Sequence, residues 1–203
     1  MRLALSRTAT RLPRWRTDTC KMDTIVLDIE TKNTFIEVGH DNFDALEISL
    51  VGLYSYGQDK FFHFHENEIK EAGEILRNAG LLVGFAISRF DLPVLKKHFN
   101  FDIFSIPRID ILDEIEILLG RRVGLDILAK TNLGFGKNGL SLEAPVLYRE
   151  GRMEELKNYC LNDVKITKEL YELAKNQGHL MVPHKENKGE AIRVDLPIFS
   201  LSL

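Results

Sequence analysis

Hydrophobic and polar positions alternate along this chain in two different periods, and the change of period marks the elements. Residues 24–29 are a short apolar, β-branched run that reads as a strand. A second strand is predicted at 46–56. A third follows at 60–64, after the turn that begins at Gly57. Residues 69–78 repeat at helical period, with Gly80 expected just past the helix end. A strand at 81–85, a helix at 92–99 and a strand near 106–109 come next. They are followed by helices at 111–119 and 125–132. The longest amphipathic stretch, 152–176, predicts a long helix. The tail 180–196 reads as a hairpin turning at 186–189. Three consecutive strands followed by strand–helix alternation predict an α/β domain, a mixed sheet with helices packed against it.

Length and composition fit this picture. The 203 residues make one domain's worth of chain, long enough to bury a core without staples, and are 44% hydrophobic and 28% charged. The two cysteines, Cys20 and Cys160, stand in no metal-ligand spacing, which excludes a disulfide framework and a thiolate zinc site. No apolar run approaches the roughly 18 residues of a membrane span. The expected compartment is the cytoplasm. Charge is uneven: net −3 overall, but residues 1–21 hold six bases and one acid. This start resembles an organelle transit peptide or a nucleic-acid-binding arm. A disordered extension over 1–22, before a domain at 23–203, is the simpler expectation.

Several acidic positions carry candidate chemistry. Asp28 and Glu30 are two apart at the end of the first strand, so both point to one face and Ile29 to the other. Like charges held that close repel unless one is protonated or a cation lies between them, and a hard divalent ion suits oxygen donors. A sheet-edge Asp capping the next turn explains the pair almost as well. Tyr159 and Asp163, four apart on the long helix, share a face. Taken alone, the pair is better explained as a core tyrosine bonded to a neighbouring carboxylate. Asp91 stands near a helix start with Pro93 in the first turn, where an acid is favoured simply as a cap.

In this order the three motifs, Asp28-Ile-Glu30, Phe90-Asp91 and Tyr159-x-x-x-Asp163, resemble a DEDD-type 3′–5′ exonuclease of the ribonuclease H-like superfamily, tyrosine subgroup. Asn158 stands where the histidine subgroup would need His. Two further stretches, the phrase running from Gly84-Phe85 to Leu95 and the segment at 124–129, look most like YprB-like exonuclease domains, as does the C-terminal hairpin. That group is similar to the proofreading domain of family B DNA polymerases. The resemblance spans about residues 23–196. It implies a ribonuclease H-like fold and a metal-dependent exonuclease acting on single-stranded DNA or RNA 3′ ends. Asp28, Glu30, Asp91 and Asp163 would hold two Mg²⁺ or Mn²⁺ ions roughly 3.5–4 Å apart. Tyr159 would orient the attacking water, being a poor base at its ordinary pKa near 10.

The resemblance makes a helicase or polymerase partner acting in trans an expectation. Alternatives are a nucleic-acid-binding module with a degenerate site, or an endonuclease on branched substrates. Relatives place Asn where this chain has Ala86, which removes a side chain that would fix the Asp91 loop or touch the substrate. Ser88 or Arg89 are the candidates to compensate. Arg89, Phe90, Lys130 and Lys137 are further candidate substrate contacts.

Other patterns fail on context. The run from Gly134 to Gly139 fits G-x-G-x-x-G but follows a helix, where dinucleotide binding needs a strand. His63 and His65 read as a solvated strand face. Asp110 and Asp113 read as first-turn acids of the following helix, with a supporting role for Asp110 near the metals left open. Cys160 reads as core packing.

Overall fold

The computed structural model describes residues 22–136, 143–187 and 189–197. The basic arm at 1–21, Lys137 and the end of the glycine-rich loop lie outside them. Five strands form the main sheet: β1 (Asp23–Thr31), β2 (Ile48–Ser55), β3 (Lys60–His65), β4 (Ala79–Gly84) and β5 (Arg108–Asp110). Their order is β3-β2-β1-β4-β5. The first three strands form an antiparallel meander, and β4 and β5 add in parallel on the far side of β1. The mixed α/β sheet expected from the sequence is therefore present, with β1 at its centre.

Helices cover both faces. On one face lie α1 (Phe35–Val38), α2 (Ile69–Arg77) and α3 (Asp91–Leu95). They pack on Ile25, Leu27, Val51, Leu53 and Leu82. On the other lie α4 (Ile111–Leu119), α5 (Leu125–Leu133), α6 (Glu143–Arg149) and α7 (Met153–Gln177). Here Val26 and Val83 meet Ile115, Leu128, Val164 and Leu170. The predicted C-terminal hairpin is β6 (His179–Pro183) paired antiparallel with β7 (Ala191–Asp195), and it packs on α5 and α7. At 25 residues, α7 extends about 37 Å, enough to cross the sheet diagonally. It ends at Gly178, whose left-handed φ of +76° lets its amide reach back to Ala174 O.

Some boundaries differ from expectation, for physical reasons. Gly80 lies inside β4, and the α2 cap is Asn78. The helix expected at 92–99 is α3 followed by a 3₁₀ turn at Lys96–His98. The fifth strand is three residues, shifted two places later. The α1 turn and α6 were not anticipated. Pro145 interrupts the propensity of α6 but falls in its first turn, where no backbone donor is needed. Among the described residues, no helix is long and apolar enough to cross a membrane.

Candidate active site

The site grows from the two faces of β1. Ile25, Leu27 and Ile29 are buried against the α2–α3 layer. The alternate positions turn toward α7: Val26 is fully buried, while Asp28 and Glu30 are half-buried at the strand end. Directly opposite Asp28 in the β1–β2 ladder is Gly52. A Cβ there would lie 2.7 Å from Cys160 Sγ and 3.0 Å from Val164 Cγ2. The glycine thus allows α7 to sit close on the sheet. Cys160 and Val164 are one turn apart, so the residues just before each, Tyr159 and Asp163, are brought to the same place. The Cys160 thiol is 3.6 Å from Asp28 Oδ2, and one ligand atom from each of Asp28, Glu30 and Cys160 lie within 4.8 Å of one another. Burial pushes the Cys160 thiol up, and the charges of Asp28, Glu30 and Asp163 push it further, so sulfur is present as the neutral thiol.

Asp91 arrives from the turn after β4. Phe90 occupies the cap position of α3 and makes no side-chain cap bond, and Asp91 is the first residue of the helix. Asp91 Oδ1 accepts from the Ile29 amide at 2.9 Å, across 62 residues, between Asp28 and Glu30. Asp91 thus bonds a distant strand as well as the amide of its own first turn. The carboxyl is 3% exposed and its pKa is pushed up to about 7. Burial is the main cause, with the Asp110 and Asp163 carboxylates adding, and its backbone hydrogen bonds offset only part of this.

Asp110 has more to do than the sequence suggested. It caps α4 by accepting from the Leu112 and Asp113 amides, and it also accepts from the Ala86 and Ser88 amides at 2.8 Å each. One buried carboxylate therefore ties the turn that presents Asp91 to the start of α4. Ala86 sits in that turn at φ +67°, a region where Asn is several-fold enriched and β-carbons are strained. An Asn at this position would therefore suit the backbone better than Ala86 does.

The structure brings Asp28, Glu30, Asp91 and Asp163 to one end of β1, with Tyr159 one turn before Asp163 on α7. Tyr159 is nine-tenths buried beside Leu50, Leu156 and Cys160. The weaker candidates have partners within the protein. Arg89 pairs with Asp113 at 2.9 Å and Glu116 at 2.6 Å, and Lys130 with Asp126 at 2.7 Å. Phe90 packs edge-on against Phe35. Lys137 lies outside the described residues. Asp126, Phe85 and Ile127 line a groove of about 440 Å³ together with Asp28 and Asp163. In the sequence the 124–129 segment shows little of this, its one sign being an acid, Asp126, two residues after Gly124. Gly134 ends α5 at φ +78°, so its glycine serves as a helix stop.

Taken together, fold and site define a mixed α/β domain with an acidic centre at the end of its middle strand. A family model described as the RNase_H superfamily matches residues 25–175, and the chain belongs to that superfamily. No curated protein matches the chain. Membership suggests a hydrolase acting on nucleic acid, of a kind that usually uses divalent metals. The donor set fits such ions: four carboxylates suit a hard cation, and the Asp163 and Asp110 charges that add to the effect of burial on Asp91 are ones a cation would offset.

Proposed function

We propose that the chain is a metal-dependent 3′–5′ exonuclease that hydrolyses phosphodiester bonds at the 3′ ends of single-stranded DNA or RNA. The observation that carries this reading is the convergence of carboxylates from three distant segments, two of them tied together by the Ile29 amide donating to Asp91. Asp28, Glu30, Asp91 and Asp163 would hold the divalent ions, two in this reading. When bound, these supply positive charge to the phosphate and acidify the attacking water. The chain's own residues do the rest. Asp91 is fixed by Ile29 and by the turn that Asp110 holds, so its carboxylate needs no rearrangement to bind a cation. Tyr159 orients the attacking water by hydrogen bond and leaves proton removal to a stronger base. Gly52 keeps α7 seated so that Tyr159 and Asp163 stay in register with Asp28.

The test uses 5′-labelled single-stranded DNA and RNA of matched sequence, with Mg²⁺, Mn²⁺ or EDTA, an Asp163→Ala control and a circular single strand. A metal-dependent ladder shortening from the 3′ end, with the circle intact, is the expected result. Cleavage of the circle would replace this reading with an endonuclease. Intact linear substrate together with absent metal binding would replace it with a binding module.

A further inference from the structure

Two openings flank the carboxylate cluster, and they differ in chemistry. The α5 groove is walled by Phe85, Leu125 and Ile127. On the other side, a cavity of about 560 Å³ lies between α6 and the first half of α7. Its lining includes Tyr159, which stands one turn before Asp163 on α7 and so places the cavity beside the cluster. Asn158 and Asn162 line it one helical turn apart, beside Val146, which is 44% exposed.

Resting on the exonuclease reading, we infer that this α6–α7 groove seats the single strand next to the scissile phosphate, and that Asn158 and Asn162 hold it through neutral amide hydrogen bonds. A strand whose phosphate lies at the cluster has this groove beside it, and of the two openings it is the roomier. Residues at i and i+4 have Cβ atoms about 5–6 Å apart, so both amides meet one stretch of backbone. Each amide donates and accepts at once, which suits sugar oxygens and base edges alike. Val146 offers an apolar surface for a base ring. The groove's cation does not act as a phosphate clamp, because Arg152 is paired with Glu150 at 2.8 Å and with Glu155 at 2.7 Å. The acids at the cluster make the same choice sensible, since an amide adds no charge that they would draw away from the substrate.

The mechanism has a thermodynamic signature. A lysine or arginine on phosphate releases counterions, so its loss flattens the salt dependence of binding by about one unit of slope. An amide releases none. The experiment measures anisotropy of 5′-fluorescein single-stranded DNA and RNA on the full chain, with Ca²⁺ present and the oligonucleotide checked as intact, from 50 to 300 mM salt. For Asn158→Ala/Asn162→Ala, the Kd should rise about tenfold, the sum of two modest hydrogen bonds, with an unchanged salt slope. Melting temperature and calorimetric metal affinity should stay at parent values. A Kd equal to the parent's would overturn the groove assignment alone. A slope reduced by one would overturn the neutral-amide mechanism. Failure of the parent to bind or shorten either nucleic acid would overturn the inference together with the exonuclease reading beneath it.

Discussion

The two faces of β1 are written in the same alternating code and end in opposite chemistry. Toward α2 and α3, Ile25, Leu27 and Ile29 are at most 4% exposed and pack in one apolar cluster. Toward α7, the equivalent row begins with the fully buried Val26 and then turns to Asp28 and Glu30. One face closes the core. The other stops closing where the carboxylates begin, and α7 brings Tyr159 and Asp163 to that point. Strand alternation thus builds the platform, and the break in apolar pattern on one face alone marks the site.

Substitutions on adjacent residues test this division most strongly. Leu27→Ala should cost about 2–5 kcal/mol by leaving a cavity in the α2–α3 layer, read as a lower urea midpoint. Its stable fraction should still cleave. Asp28→Ala should lower turnover by at least about 10²–10³-fold. Because it removes one of several crowded like charges, the metal-free protein should melt no lower than the parent. Loss of folding in Asp28→Ala, or of turnover in a fully folded Leu27→Ala, would dissolve the contrast.

Two further changes address how the site-bearing face is held. Asp110→Ala strands four backbone donors and should cost about 1–3 kcal/mol, with weaker metal binding because the Asp91 turn is released. Unaltered metal affinity would separate Asp110 from the site. Gly52→Ala forces a methyl against Cys160 and should cost about 1–3 kcal/mol. Adding Cys160→Ala makes room for that methyl and should return part of the stability and the turnover. Two losses that simply add would show that α7 is not seated through this contact.

The carboxylate cluster should also leave a mark on pH dependence without any substrate. The Asp91 carboxyl titrates near 7 in the folded chain against an ordinary 3.8, so between those values the folded state binds more protons than the unfolded. Stability of the metal-free protein should therefore fall as pH rises from about 4 to 7, and remain low above that. Burial raises Asp113 and Glu114 in the same direction. Melting curves in EDTA from pH 4 to 8 should show the slope, Asp91→Asn should flatten it, and Mg²⁺ should restore more stability at pH 8 than at pH 5. An Asp91→Asn curve parallel to the parent's would place the titration elsewhere.

What could be read from the chain alone was what short-range geometry controls. The two-residue period placed Asp28 and Glu30 together, and the helical turn did the same for Tyr159 and Asp163. The sheet's mixed character followed from three strands in a row. The partner of Asp91 could not be read, because the competing cap is local while the actual donor, Ile29, is 62 residues away. Asp110 could be read only in part for the same reason: its bonds to Leu112 and Asp113 are local, and those to Ala86 and Ser88 are not. The α6 helix was hidden by Pro145, and the roles of Gly52, Asn158 and Asn162 depend on what packs or opens beside them.

The smallest expected effect concerns Ala86. At φ +67° its β-carbon crowds the following carbonyl, a strain that Gly does not have and that Asn tolerates. The turn keeps this conformation because Asp110 accepts from the Ala86 amide, while the Ala86 carbonyl accepts from the amides of Arg89 and Phe90 at 3.1 Å each. Ala86→Asn should therefore stabilise the protein by about 0.5–1 kcal/mol, relieving strain on the site-bearing face without touching its carboxylates. Ala86→Gly gains the same relief but loosens the unfolded chain, so it should gain less. Denaturant midpoints would rank the three proteins Asn, Gly, Ala. If the Asn side chain instead served the substrate, Ala86→Asn would change KM for the oligonucleotide and leave the midpoint where it was. A raised midpoint with unchanged KM would assign the residue to the backbone of the Asp91 turn, and so to the scaffold that the other face of β1 already represents.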